Sequence, residues 1–279
     1  MKELRKIYAL IALTVRESFA KKTFVVFFAL STVLHLFLLF AVDIDVVGGA
    51  MAMVNIFGKD IAGAEKIKIR EMIVGAQSVI ASLVFTGGIF LSIFATAGLV
   101  PSLLEKGHVE LVVSKPIPRY LILLGRFVGA QTVMAFNVVY FIGGTWLILS
   151  AKTGFWYGPY LYAIPMVVVA FAIVFALMTL VGVLSRSAGV SIMIAYFVLF
   201  FSPFLIQKDR IYALLSSKVY YYLLEVLYQV LPKTFELGKM NQELVMGKPV
   251  ESWQPLWTSG LAGMAMLFVA VTLFSRKDF

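Results

Sequence analysis

Cysteine is absent from all 279 residues, which excludes disulfides and thiolate metal sites. Histidine is nearly absent, with two copies, His35 and His108. No G-x-x-x-x-G-K-[ST] segment occurs, so the chain cannot bind and hydrolyse ATP by the P-loop route. Charge is scarce as well. Only 14% of residues are charged, and six long runs contain no Asp, Glu, Lys or Arg. A proton- or sodium-coupled carrier usually needs buried carboxylates or a broken helix at its ion, so that class becomes the weaker alternative. A membrane-embedded enzyme needs a convergent acid-base or nucleophile set, and His35 is the one imidazole within a run. The chain reads as a non-enzyme without cofactors or bound metal.

What is there is apolar surface. Hydrophobic residues make up 61% of the chain and mean hydropathy is +0.94, against ~45–50% apolar residues in soluble domains. The expected fold is an all-α integral membrane protein, one transmembrane domain over residues 1–279. Its six transmembrane helices are expected at about 23–42, 72–100, 127–150, 161–184, 188–206 and 256–274. Twenty residues at 1.5 Å each match the ~30 Å hydrocarbon core. The charge-free stretch from Met72 to Leu104 has 33 residues, too long for one perpendicular span and too short for two, so one tilted or extended helix is expected. Gly88, Ser92 and Thr96 recur along it at the small-residue spacing of close helix packing, with a substrate-facing groove as the second reading.

The net charge of +9 follows the flanks of these runs, as the positive-inside rule requires, rather than forming a basic surface interleaved with aromatics. No nucleic-acid binding is expected. Placing both termini in the cytoplasm puts 13 Lys and Arg with 5 Asp and Glu inside, against 11 and 10 outside. A multi-pass protein of the cell membrane is implied. The basic, mixed segment before the first run is longer than a usual signal n-region, so that run is expected to remain as an anchor.

Residues 1–22 carry Leu4, Ile7, Ile11, Val15 and Phe19 along one helical stripe, suiting a helix in the membrane interface with its cations near lipid headgroups. His35 is a neutral cross-helix hydrogen-bonding group or, less favoured, a proton relay. Residues 43–71 read as an extracytoplasmic loop with some helix near its end, its Asp43 and Asp45 solvated rather than metal-binding. Gln131 and Asn137 are amides expected to bond across helices. Trp156, Tyr157 and Tyr160 fit an aromatic belt. Residues 207–251 read as extracytoplasmic amphipathic helices lying on the membrane surface, ending near Leu231-Pro232.

The stretch from Pro101 to Arg126 stands apart, a polar island between two charge-free runs. It holds Glu105, Lys106, Glu110, Lys115, Arg119 and Arg126 with Gly107, His108, Pro116 and Pro118, and its Gly and Pro residues end one helix before another starts. Glu105, Gly107, Glu110, Leu111, Val112, Ser114, Lys115, Pro116, Arg119, Gly125 and Arg126, with Arg16-Glu17 ahead of Lys21-Lys22 and the closing Arg276-Lys277-Asp278, resemble type-2 ABC exporter permeases. The subgroup is that of nitrous-oxide-reductase maturation and gliding-motility permeases, and the pattern departs at His108, where a small or hydroxyl residue is more usual. The resemblance implies an ATP-driven exporter subunit, with an amino-terminal elbow helix marked by Arg16 and Glu17. It further implies a cytoplasmic coupling helix between the second and third spans. Glu105, Gly107, Glu110, Lys115, Pro116 and Arg119 would then meet separate cytoplasmic ATPase subunits. A homodimer, or a heterodimer with a similar permease, among membrane lipids is implied too. A non-exporting permease that passes ATP-driven motion to an outer partner is the alternative.

Overall fold

The computed structural model describes residues 2–20, 22–47, 51–56, 59–60, 67–104, 117–207 and 218–277. Helices dominate. In order they are α1 (Lys2–Ala20), α2 (Thr23–Phe40), α3 (Ile69–Leu83), α4 (Ile89–Thr96), α5 (Arg119–Thr153), α6 (Ala163–Ser185), α7 (Ala188–Leu205), α8 (Lys218–Val230), α9 (Thr234–Val245) and α10 (Gln254–Arg276).

Length and composition qualify four helical stretches to cross a membrane: Ile69–Leu104, Arg119–Thr153, Gly158–Ser185 and Gln254–Arg276. The pair α1 and α2 qualifies jointly as a fifth, bent by 67°. Lys22 makes that bend with φ 59°, a left-handed conformation uncommon outside glycine. The run expected at 188–206 forms α7, whose 18 residues reach about 27 Å, just short of the hydrocarbon thickness. The all-helical class therefore stands, and among the described residues four or five helices are long and apolar enough to cross a membrane, against the six expected.

The extended helix expected over 72–104 is present, running from Ile69 to Leu104. A π-helical turn, Val84–Gly88, joins α3 to α4, and a 3₁₀ turn, Pro101–Leu104, ends it. Ser92 and Thr96 are buried, and Ser92 Oγ lies 3.1 Å from the Met134 sulfur, so this part of the small-residue stripe faces α5.

Residues 43–71 differ from expectation. They contain a small antiparallel sheet in which β1 (Val42–Val47) pairs with β2 (Met51–Ile56), and β2 with both β3 (Lys59–Asp60) and β4 (Ile67–Lys68). The alternation Val42, Asp43, Ile44, Asp45, Val46 has the period of a strand, which the charge content of the segment obscures.

At the centre lies α6. Val167, Phe171, Val174 and Phe175 on it are at most 1% exposed, and α4, α5, α7, α9 and α10 all pack around it. Helix α9 departs from the surface-lying form expected for 207–251: Leu237, Met240, Asn241 and Val245 are buried against α3, α6 and α7. Of the expected aromatic belt only Trp156 is exposed, because Tyr157 and Tyr160 turn into the core.

Candidate functional site

The polar island is the place to look for function, and both of its flanks are anchored. On one side Pro101 and Leu103 are buried, and Val100 and Pro101 press close to Gly182 near the end of α6. On the other, Arg119 opens α5 and donates from Nη1 to the carbonyl of Lys277, at 2.5 Å, just past the end of α10. Lys277 Nζ in turn donates to the Val183 carbonyl in the last turn of α6, where helix carbonyls lack partners and favour cations. Desolvation, and then the positive charge of Arg186, hold the Lys277 ammonium below the usual lysine range. The ends of α4, α5, α6 and α10 thus converge at one face of the bundle.

Helix α1 is bound to the same face. Gly125 and Gly129 form a small-x-x-x-small step on α5, and a Cβ at either would stand 2.6 Å from Leu10 Cβ or 2.5 Å from Thr14 Cβ. Only glycine permits that approach. Beside it Arg126, 3% exposed, makes a forked pair with Glu17: Nη2 donates to Oε1 at 3.0 Å and Nη1 to Oε2. Such a two-bond guanidinium–carboxylate contact fixes orientation as well as position. Arg16, its neighbour, is exposed. Arg119, Arg126, Arg186, Arg276 and Lys277 lie toward this end, and Glu17 is the carboxylate paired with Arg126.

Of the residues the sequence singles out, Arg119, Arg16 and Glu17 come to this face. Glu105, Gly107, Glu110, Lys115 and Pro116 lie outside the described residues. The Glu17–Arg126 pair is missed by sequence reasoning, although both residues are noticed, because their partnership joins positions far apart in the chain. The Gly125-x-x-x-Gly129 spacing was passed over, although small residues four apart are the signal that could have pointed to a close helix contact.

The opposite end carries a different chemistry. Lys152 Nζ donates to the carbonyls of Leu39 (2.7 Å) and Val42 (2.5 Å) and lies 3.6 Å from Asp43, tying the end of α2 to α5. Lys233 is 1% exposed, donates to Thr258 Oγ1 at 2.6 Å and sits 4.0 Å above the Tyr228 ring, so it locks α9 to α10 and α8. His35 is a packing group: its ring fills the notch over Gly144, and Nε2 lies 3.1 Å from the Phe141 carbonyl. Among the described residues no cluster of His, Asp and Glu can hold a metal ion. No protein family's sequence pattern matches this chain, and no curated protein matches it.

Proposed function

We propose that this chain is the membrane-spanning permease subunit of an ATP-driven ABC exporter, coupling a separate cytoplasmic ATPase to substrate movement out of the cytoplasm. The Arg119 face is cytoplasmic in this reading, both termini lie there, and two permease chains pair. The observation that supports it most is the double anchoring of the 105–116 segment. One flank is pressed on α6 through Pro101, and the other is tied through Arg119 to the end of α10. A displacement imposed on that segment would be delivered to α4, α5, α6 and α10 together, which is what an energy-coupling joint requires. The basic side chains of this face agree with the positive-inside rule, and the missing nucleotide motif agrees with a hydrolytic step carried out by another subunit.

The alternative of a non-exporting motion transmitter draws on α9, whose Asn241 is buried and donates at 3.5 Å to the Ala81 carbonyl beside the π turn. Movement of α3 would then reach the outer segment directly.

Affinity purification from native membranes tests the reading. An ATPase should copurify with the tagged chain, and hydrolysis should vanish once that subunit is stripped away. ATP hydrolysis by the stripped chain, or the absence of any ATPase partner, rejects it.

A further inference from the structure

A cleft of about 220 Å³ opens between α2, the π turn with α4, and α5. Its rim is apolar and faces outward: Leu30 is 60% exposed, Leu83 66% and Leu91 39%. Its wall is apolar nearly throughout, with the buried residues Ser31, Ser92 and Asn137 as the polar ones among its lining. In a membrane-spanning chain a rim of that kind meets lipid, so whatever enters arrives from the bilayer.

These polar residues keep hydrogen-bonding capacity that is mainly accepting. Asn137 is 8% exposed; its Nδ2 donates back to the Val133 carbonyl at 3.0 Å, and its Oδ1 has no partner. That bond also fixes which amide atom is which, since a flipped oxygen would face a carbonyl. Ser31 gives its proton to the Phe27 carbonyl at 2.8 Å, and Ser92 gives its own to the Gly88 carbonyl at 2.5 Å or to Met134 sulfur. What remains are oxygen lone pairs and one spare amide proton of Asn137. An intramembrane amide normally finds a partner on a neighbouring helix, and a buried acceptor without one is costly. The wall at Gly87 and Gly88 belongs to the π turn, a distortion found often at functional sites. No lining residue is charged, so an ionic guest would be desolvated without compensation.

We infer that this cleft binds an uncharged, membrane-dissolved molecule that carries a hydroxyl or amide donor on a small apolar body. The volume is roughly one and a half times the ~150 Å³ that accommodates benzene, which sets the size of the part that enters. The donor meets Asn137 Oδ1, and the apolar part lies against Phe27, Val138 and Phe141. The site goes beyond the permease reading and stands without it, because binding needs neither ATP nor an ATPase.

The test uses the full chain in phosphatidylcholine nanodiscs without nucleotide. Three diazirine-bearing probes are compared, a long-chain alcohol, its methyl ether and a phosphatidylcholine, and adducts are mapped by peptide mass spectrometry. The alcohol should label the cleft walls saturably, be displaced by unlabelled alcohol, and bind about tenfold more tightly than the ether, as loss of a buried hydrogen bond implies. Gly87→Leu should abolish labelling, since Gly87 lines the cleft and a Cβ there meets nothing within 4 Å, which leaves the new side chain free to occupy it. Asn137→Leu should bring the alcohol down to the ether's affinity. Equal binding of alcohol and ether overturns the inference, as does saturable labelling of the same walls by phosphatidylcholine. Undiminished labelling in Gly87→Leu does so too. Should Asn137→Leu fail to fold, the ether comparison and Gly87→Leu still decide.

Discussion

At the scale of single residues, Arg126 and Glu17 form the pair with most at stake. The Arg126 side chain is 4% exposed and that of Glu17 28%, so removing one carboxylate leaves a guanidinium stranded in a poor solvent for charge. Glu17→Ala should lower the stability of the reconstituted protein by about 3 kcal/mol in thermal unfolding. The double variant Glu17→Leu with Arg126→Leu should recover most of that loss, because apolar replacement removes both desolvation costs. A double variant as unstable as the single one would show that the pair acts through something other than charge. Lys239 and Glu251, 2.7 Å apart at the other end, make an exposed contrast. Hydrogen bonding to Lys239 holds the Glu251 carboxyl below its ordinary range, and Glu251 raises the Lys239 ammonium. A depressed carboxylate stabilises above its unfolded value of ~4.3 and loses that contribution as pH falls through the folded one. A raised lysine stabilises below its unfolded value of ~10.4 and loses it as pH rises further. The tie between α9 and residues 246–253 should thus persist across neutral pH and release only in acid or strong base. Limited proteolysis of that turn against pH measures it, and a cleavage step near pH 7 would contradict it.

Among the elements, the interface of α1 with α5 rests on two glycines. Gly129→Leu would drive a side chain into Thr14, overpacking that costs about 1–3 kcal/mol. Trypsin should then cut faster at Arg16 and Lys22, whereas Gly143→Ala, with nothing near its Cβ, should behave as the parent. Equal cleavage in all three proteins would mean that α1 does not depend on this step. How much of these elements the sequence discloses varies with the physics behind each. The long charge-free run into Leu104 reads directly as one extended helix, because hydropathy reports burial in lipid. The π turn at Val84–Gly88 is invisible to the same signal, since an extra residue in a turn leaves hydropathy unchanged. Strand β1 was overlooked because Asp43 and Asp45 read as loop chemistry, although they alternate with apolar neighbours. Tyr157 and Tyr160 have the composition of an interfacial belt and the position of core residues, a distinction set by α9 and α5 packing over them. Asn137 was expected to bond across helices and instead turns back on its own, which leaves its oxygen open.

For the whole molecule, orientation and coupling are what the function demands. Single cysteines are clean reporters in a chain that has none. With both termini in the cytoplasm, an impermeant reagent added outside should label cysteines replacing Lys152 and Lys239 but not Lys106 or Lys277. The reverse pattern would invert the proposed topology. The central claim is that the 105–116 segment is a joint to an ATPase and not a solvated connection. Truncating one member of an interfacial charge pair costs about 2–5 kcal/mol, whereas an exposed pair contributes only about 0–1 kcal/mol. The most direct measurement is ATPase association and ATP hydrolysis in vesicles that hold the wild-type complex, Glu105→Ala or Glu110→Ala, with Lys239→Ala as a control at the far end. The joint predicts normal insertion and pairing of all three variants, with association or stimulated hydrolysis reduced at least tenfold in the two glutamate variants and unchanged in Lys239→Ala. Wild-type assembly and hydrolysis in both glutamate variants would contradict the account.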